Sequence, residues 1–296
     1  MSWRLWLLVS SAVVAHSSPQ LPILPDTVCL RYRFQPGDTL IYRVEAQDSI
    51  FIYGQPPLVR ERYETLVLIC DSVGADGSFW LRMVPTEFLA RERMDTLQSL
   101  RPVSPCQHRP VVLQVDTLGT RLSGHAPENT VVCPGGVLQL PFLQPLHGCI
   151  RAHESWLVQD SLLLWENATP PPRFARTALL RAFLPRDTLG HRCLEVQFTT
   201  TGSGWYIRDS AFAVRAVTNS FGRLLLSTEG IPVWSYTTQE IRLSLQLGGT
   251  VTEGLHYINL WHRLEEYQSA RRKLSPSPAV PPETPAPTQR RRRSQR

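Results

Sequence analysis

Apolar and polar residues alternate one by one along several stretches of this chain. The clearest runs from residue 241 to 247, where Ile, Leu, Leu and Leu alternate with Arg, Ser and Gln. The same two-residue period occurs at residues 30–34, 40–45, 79–83 and 194–199. Because neighbouring side chains of a strand point to opposite faces, this pattern is typical of antiparallel strands with one buried and one solvated face. We therefore predict an all-β protein.

No long stretch shows the apolar spacing of three to four residues that marks a helix. The nearest approach is residues 255–267, where apolar residues recur at every third position. A strong strand pattern precedes this segment, and Gly249 and Gly254 bracket a turn in front of it. We therefore predict that residues 255–267 form the last strand.

A four-residue phrase recurs between the apolar runs: an Asx residue, a hydroxyl residue, any residue and a glycine. The Asx side chain can accept hydrogen bonds from backbone N–H groups two residues on, and glycine takes the positive φ that closes a type I turn with a bulge. We predict a tight hairpin turn, with its glycine at positive φ, in each of the four copies, which run from Asp71 to Gly74, Asp116 to Gly119, Asp187 to Gly190 and Asn219 to Gly222.

Two segments between the second and third of these phrases have the composition of a boundary between domains. Residues 124–150 are rich in Gly, Pro and His, and residues 167–172 contain three consecutive prolines, which cannot donate hydrogen bonds inside a sheet. With 296 residues, 42% of them apolar, the chain suffices for one large β domain or two. We predict β-rich lobes at residues 20–135 and 150–268, separate or joined in one domain. Their hairpins form a large β-sandwich or an open or half barrel.

The first fifteen residues have the features of a secretory signal peptide. Arg4 supplies a positive start, residues 5–14 an apolar stretch, and residues 13–15 a small-residue cleavage site. The stretch is too short to span a bilayer, and no later run approaches the ~20 apolar residues that a spanning helix needs. We therefore predict an exported protein, periplasmic or extracellular, without a membrane span.

The formal net charge of +6 comes from one end of the chain. Residues 271–296 carry eight Arg or Lys residues and one Glu, a charge of +7 that leaves −1 for all other residues. This Pro-rich segment cannot bury enough apolar area to offset its ordering entropy, so we predict a disordered basic tail. The tail is either a solvated end or an electrostatic tether to an anionic envelope surface. The nearly neutral remainder gives no reason to expect specific nucleic-acid binding.

Export places the six cysteines in an oxidising compartment, where an even count permits three disulfides. Cys133 and Cys149 flank a loop-like segment and are our predicted pair. A competing pattern offers a thiolate and an imidazole two residues apart, on one face of a strand, as ligands for zinc or copper. It occurs three times, as Cys106 with His108, His147 with Cys149, and His191 with Cys193. Disulfides would consume these thiols, so we predict structural disulfides and no metal or cofactor.

Catalytic signatures are missing from the sequence. Gly202-Ser203-Gly204 is a fragment of the G-x-S-x-G nucleophile motif without its strand-to-helix context, and no carboxylate has a visible partner. Tryptophans could form a ligand platform, although core packing is their usual role in a β protein. The sequence leans away from an enzyme, with an envelope hydrolase and a Cys/His metal-binding protein as alternatives.

Several turn and core motifs within residues 27–267 match a pattern found in other proteins. They are residues 34–42 with their Pro-Gly-Asp turn, the Asp76-Gly77 hairpin turn, and Ser155-Trp156 behind Pro145 and Gly148. In these motifs the chain resembles uncharacterised exported β-rich proteins of Gram-negative bacteria, which implies a fold and an exported address but no functional residues. We predict a non-catalytic cell-envelope protein that binds an apolar or polymeric ligand, or a protein partner, through a sheet surface or cavity.

Overall fold

The computed structural model describes residues 26–104, 106–125, 143–163, 173–209 and 212–270, and the predicted signal peptide and basic tail lie outside these ranges. The described residues contain no helix with the length and hydropathy needed to cross a membrane. Their regular structure consists of fifteen strands: β1 (Thr27–Leu30), β2 (Thr39–Ile52), β3 (Leu58–Val73), β4 (Phe79–Met94), β5 (Leu97–Arg101), β6 (Val111–Val115), β7 (Arg121–His125), β8 (Gly148–Arg151), β9 (Ser155–Leu163), β10 (Arg173–Ala182), β11 (Arg186–Thr188), β12 (His191–Asp209), β13 (Phe212–Ser227), β14 (Pro232–Leu247) and β15 (Thr250–Gln268).

Thirteen of these strands form one antiparallel sheet in the order β7-β6-β4-β3-β2-β15-β14-β13-β12-β10-β9, with β5 on β4 and β11 on β12 outside that path. The ladder between β2 and β15 joins the first long strand to the last, so strands of both predicted lobes share one sheet. β15 confirms the strand predicted for residues 255–267. The predicted fold class, antiparallel hairpins in a sandwich or open barrel, is confirmed.

The sheet curls until its edge strands, β7 and β9, contact each other. No ladder joins them among the described strands, so the barrel is open along this line. Inward-facing residues from across the sheet, such as Leu40, Leu66 and Leu224, are buried in one continuous hydrophobic cluster. The concave face is therefore the interior of the protein.

One end of the barrel is closed by the chain's own loops. In the segment between β1 and β2, the Tyr32 N–H donates to the Thr117 carbonyl at 2.8 Å, and the Arg33 N–H donates to the Gly230 carbonyl at 3.1 Å. These acceptors lie in the β6–β7 and β13–β14 turns, so the segment crosses the barrel at that end. The turns of the β2–β3, β4–β5 and β14–β15 hairpins lie at the opposite end, which we call the open end.

β1 and β8 form a separate two-stranded sheet that places Cys29 opposite Cys149, and these two cysteines form a disulfide. The predicted partner of Cys149, Cys133, lies outside the described residues, and the predicted pairing is wrong. Strand pairing across 120 residues of sequence brings the sulfurs together, rather than closure of the local loop. Cys70 and Cys193 are free and buried, so the six cysteines do not form three disulfides.

Two of the four predicted hairpin turns are confirmed. Between β6 and β7, the Asp116 carboxylate accepts hydrogen bonds from two backbone N–H groups at 2.8 and 2.9 Å, and Gly119 has a φ of 84°. Between β11 and β12, the phrase that begins at Asp187 has φ values of 51° at Leu189 and 75° at Gly190. Positive φ at both central residues is typical of a type I′ turn, not of the predicted bulged type I turn.

The phrase from Asp71 to Gly74 lies beside a turn without forming it. Asp71 belongs to β3, where its carboxylate pairs with Arg82 of β4 at 2.7 Å. The turn uses the following residues, because Gly77 has a φ of 82° and its N–H donates to the Gly74 carbonyl at 3.0 Å. The predicted positive φ at Gly74 is wrong because the neighbouring Asp-Gly pair makes the turn instead.

The phrase from Asn219 to Gly222 is not a turn but the middle of β13, paired on both sides with β12 and β14. Gly222 is required there for packing. A Cβ at this position would lie 2.4 Å from the Phe198 ring and 2.4 Å from the Tyr236 carbonyl oxygen. The glycine therefore allows an aromatic ring to lie directly on the strand backbone.

Gly222→Ala is expected to destabilise the protein by about 1–3 kcal/mol, because the added methyl group overpacks a filled site. Urea unfolding of the variant and the parent measures this cost. Truncating the ring in the double variant Gly222→Ala/Phe198→Leu should make the alanine cheaper than it is in the parent. Equal costs in the two backgrounds would show that the ring does not impose the glycine.

Candidate functional site

A belt of polar side chains interrupts the apolar inner face between the closed and open ends. One cross-strand row carries most of it, and each member has the inward parity of its strand. The row contains Glu92 of β4, Arg60 of β3, Asp48 of β2, Gln239 of β14, Ser220 of β13 and Thr200 of β12, with Ile258 of β15 between Asp48 and Gln239. We call this row, with its inward neighbours Arg62, Glu64, His256, Thr218 and Arg176, the polar belt.

Asp48 is the centre of the charged half of the polar belt. Its buried carboxylate accepts hydrogen bonds from Arg60 Nε at 2.9 Å, Arg62 Nε at 2.6 Å and His256 Nε2 at 2.9 Å. Burial alone would raise the pKa of Asp48, but the hydrogen bond from His256 and the charges of Arg62 and Arg60 outweigh it and hold the pKa well below its usual range. Asp48 is therefore ionised and committed to three donors.

The other carboxylates of the polar belt are also held by arginines. Glu64 accepts a hydrogen bond from Arg62 Nη1 at 2.5 Å. Glu92 lies 3.1 Å from Arg101 Nη2 and 3.7 Å from Arg60 Nη1. A pair of carboxylates that works as general acid and base needs one member protonated and facing substrate. These carboxylates instead form a structural ion-pair network.

The other half of the polar belt is built from hydroxyl groups and one arginine. Thr200 lies directly opposite Ser220, and Thr218 follows two residues away on the same face of β13. Arg176 donates through Nε to Asp160 at 2.9 Å. The three hydroxyl oxygens and Arg176 Nη1 are buried without a hydrogen-bond partner. Since an unmade buried hydrogen bond costs about 1–3 kcal/mol, this half of the belt has bonding capacity that the fold does not use.

Ser235 and His262 face each other across β14 and β15, with Ser235 Oγ 3.1 Å from His262 Nδ1. A serine hydroxyl beside an imidazole has the geometry of a nucleophile and its base. Burial, together with the charge of Arg62, lowers the pKa of His262 to about 3, so its ring is neutral. However, Ser235 is only 2% exposed and His262 only 5%, so the pair is closed to a substrate.

Toward the open end the inner face becomes apolar again and leaves a cavity of about 630 Å³. Its position follows from strand parity: Ile50 comes two residues after Asp48, and Met94 two residues after Glu92. The cavity therefore lies next to the polar belt, at the following inward-facing positions toward the open end. Its lining is Ile50, Ile52, Tyr53, Gln55, Pro56, Leu58, Met94, Leu245, Thr250 and Thr252.

The cysteines predicted as alternative metal ligands are not available as thiolates in two of the three pairs. Cys106 and Cys149 are both disulfide-bonded. Cys193 keeps its thiol, but it is buried against Leu225 and Val233, where burial raises its pKa. A buried thiol in apolar surroundings is inert rather than ligating.

The three histidines of the same prediction lie in separate parts of the described structure. His108 occupies a turn before β6 with a φ of 60°, His147 lies beside Trp156, and His191 is exposed at the start of β12. No group of three or more His, Cys, Asp or Glu residues among the described residues could hold a metal ion. The predicted pairs are therefore not assembled into a site.

The tryptophans divide between the interior and the outer surface. Trp156 is buried, and its Nε1 donates to the Pro145 carbonyl at 3.2 Å. Trp80 and Trp205 are exposed on the outer face. The core packing expected of tryptophan holds for the first of these and fails for the other two.

Sequence reasoning missed the polar belt, although one signal was present. In β2 the inward positions are Leu40, Tyr42, Val44 and Ala46, and Asp48 then continues the same parity. A carboxylate at an apolar parity position predicts a buried ion pair, since an isolated buried charge is too costly. Its partners come from β3 and β15, and the sequence does not reveal those pairings.

Comparisons with known proteins leave the chain without a family. No protein-family model matches it, and no curated protein matches it. One similar solved structure, described by its lipid–protein interactions, is lipovitellin, with a TM-score of 0.49, 11% identity, and coverage of 84% of this chain and 27% of that one. The chain thus spans about a quarter of the lipovitellin chain. Another is an outer membrane channel from Pseudomonas putida F1, with a TM-score of 0.26, 10% identity, and coverage of 79% and 97%. At these scores neither match assigns a fold family or a ligand.

Proposed function

We propose that the protein is an exported, non-catalytic binding protein that holds the apolar chain of a ligand in the open-end cavity. The observation that carries this proposal is the cavity itself, at about 630 Å³ with walls built from aliphatic side chains. Its volume falls within the ~300–1,000 Å³ range of small-molecule sites, which are lined mainly by apolar groups with a few polar ones. The polar groups of its lining are the hydroxyls of Thr250 and Thr252, the amide of Gln55 and the phenol of Tyr53.

The chemistry of the interior supports binding over catalysis. Asp48, Glu64 and Glu92 are each held by arginine, and the pair of Ser235 with His262 is closed to substrates. The cavity walls carry no ionisable side chain among the described lining residues except the phenol of Tyr53. A lining without a described carboxylate, imidazole, amine or thiol selects a ligand by shape and hydrophobicity, which favours binding over a chemical step.

Export is supported by the disulfide between Cys29 and Cys149, because disulfides persist in oxidising compartments such as the periplasm or the cell exterior. The predicted signal peptide agrees with this address. A tether between the basic tail and an anionic envelope surface stays a prediction. For the Cys/His metal-binding alternative, no group of metal ligands is assembled among the described residues. For the envelope hydrolase alternative, burial closes the pair of Ser235 and His262 to a substrate.

Leu245→Trp is expected to weaken binding of an apolar chain by about tenfold or more, because the larger ring occupies space that the ligand would fill. Titration with the fluorescent fatty acid cis-parinaric acid measures the dissociation constant. Ser244→Trp is the matched control, since Ser244 directly precedes Leu245 in β14 and therefore faces the opposite side of the sheet. The parent and Ser244→Trp should bind alike.

Two outcomes would overturn the proposal. One is a parent protein that does not bind the fatty acid at any concentration below its own aggregation. The other is equal binding by the parent and by Leu245→Trp, which would place the bound chain elsewhere. Unfolding curves of both tryptophan variants establish that they are folded at the assay temperature.

A further inference from the structure

We propose that the open end of the barrel docks on a lipid bilayer, with the ends of the β2–β3 and β14–β15 hairpins at the membrane interface. This goes beyond the ligand cavity and stands on separate observations: the charge and the exposure of the hairpin ends. A docked open end would also let an apolar chain pass directly from the bilayer into the cavity. Only this consequence rests on the proposed function.

Both hairpin ends are free of charged residues. No Asp, Glu, Lys or Arg occurs in residues 49–59, between Asp48 and Arg60, or in residues 243–252, between Arg242 and Glu253. β2 and β15 are paired, and Phe51 lies opposite Leu255, so the two uncharged ends are neighbours in space. Exposed hairpin turns are usually rich in polar residues because water solvates them. An uncharged pair at one end of the molecule therefore indicates a different surrounding medium.

The same ends expose large apolar side chains. Tyr53 is 85% exposed and Val251 is 62% exposed. Phe51 and Tyr257 are also exposed and meet edge to face, with ring centroids 6.3 Å apart. Aromatic residues with one polar and one apolar end favour the membrane–water interface. The residue types at these two hairpin ends are thus those of an interfacial anchor.

Backbone hydrogen bonding allows shallow insertion. The Tyr53 N–H donates to the Glu253 carbonyl at 2.9 Å, and the Gln55 N–H donates to the Ile52 carbonyl at 2.9 Å. These groups therefore enter a less polar medium already paired, as a membrane environment requires. On β15 only residues 250–252 precede the charged residue Glu253, and this limits the depth to about 10 Å at ~3.3 Å per residue. That depth reaches through the headgroups without spanning the bilayer.

The uncharged hairpin ends favour a bilayer over an anionic polymer or an acidic protein as the binding partner. An anionic polymer or an acidic protein would require basic residues at the contact, and the two hairpin ends have none. The cavity opens between the same hairpins, with Tyr53 and Thr250 on its lining. A bilayer provides an apolar medium that is continuous with such a cavity.

The test is vesicle flotation with residues 18–296, which retain every described residue and omit the predicted signal peptide. Vesicles of phosphatidylcholine alone are used, because they give a basic tail no net charge to bind. The double variant Tyr53→Asp/Val251→Asp is expected to lower the partition coefficient by at least ~10-fold, since carboxylates partition poorly into the interface. Phe221→Asp, at an exposed position on the outer face of β13, is the matched control and should float like the parent.

Three results would overturn the docking proposal: a parent that does not float with phosphatidylcholine, a parent that floats only with anionic vesicles and is released by salt, or equal losses in the double variant and in Phe221→Asp. The second result would assign membrane contact to the basic tail.

Leu245→Trp separates docking from ligand binding, because a protein with a filled cavity should still float. Tyr53 and Val251 are both exposed, so the double variant should have the same melting temperature as the parent.

Discussion

Asp48→Ala is expected to destabilise the protein by about 3–5 kcal/mol, because removing one partner of a buried ion pair leaves the other charges uncompensated. The Asp48 carboxylate accepts hydrogen bonds from Arg60, Arg62 and His256. Arg62 is itself buried, so alanine would leave a guanidinium inside the barrel with only Glu64 to balance it. The loss should therefore exceed the cost of removing the packing of one small side chain.

Urea unfolding at neutral pH measures this loss. Glu45→Ala is the matched control, since Glu45 lies three residues away on the solvated face of β2 and pairs with exposed Arg43 at 3.1 Å. An exposed pair of this kind contributes ~0–1 kcal/mol. A cost for Asp48→Ala that is no larger than the cost for Glu45→Ala would show that the polar belt is solvated or rearranges freely.

Local patterns in the sequence predict local structure well. The alternation at residues 194–199 and 241–247 gives β12 and β14, because a strand with one buried face needs apolar residues at every second position. Hairpin phrases are less reliable, since the same four residue types suit a turn at Asp116 and a strand interior at Asn219. In β13 tertiary packing of the Phe198 ring on Gly222 decides the outcome, and the phrase itself does not contain that information.

Contacts between distant segments could not be predicted from the sequence. The ladder of β2 with β15 and the disulfide between Cys29 and Cys149 both join residues more than a hundred positions apart. Any two amphipathic strands satisfy the local rules of pairing, so only the assembled sheet selects the partners. The candidate cavity depends on those partners, because its walls come from β2, β3, β4, β14 and β15 together.

Stability is expected to fall as the pH drops below about 6.5, because buried His262 resists protonation in the folded state. Burial first, and then the charge of Arg62, lower the pKa of His262 from 6.5 to about 3. Between these values the unfolded chain binds a proton that the folded chain does not, so the free energy of unfolding decreases by up to about 1.4 kcal/mol per pH unit. The contribution of His262 is complete above pH ~6.5 and is lost as the pH falls toward 3.

Urea unfolding at pH 7 and pH 5 tests this expectation, with about 2 kcal/mol of the parent's stability lost between the two through His262 alone. His262→Gln should lack that share of the loss, because glutamine can still hydrogen-bond Ser235 but does not titrate. His153→Gln, at an exposed histidine in the β8–β9 turn, is the control and should keep the parent's pH dependence. Asp48 does not affect the comparison between pH 7 and pH 5. Because its pKa is lowered in the folded state, its contribution to the free energy of unfolding changes only near and below the pKa of ~3.9 of an unfolded aspartate. An unchanged pH dependence in His262→Gln would show that the folded protein admits a proton, and therefore water, to this part of the interior.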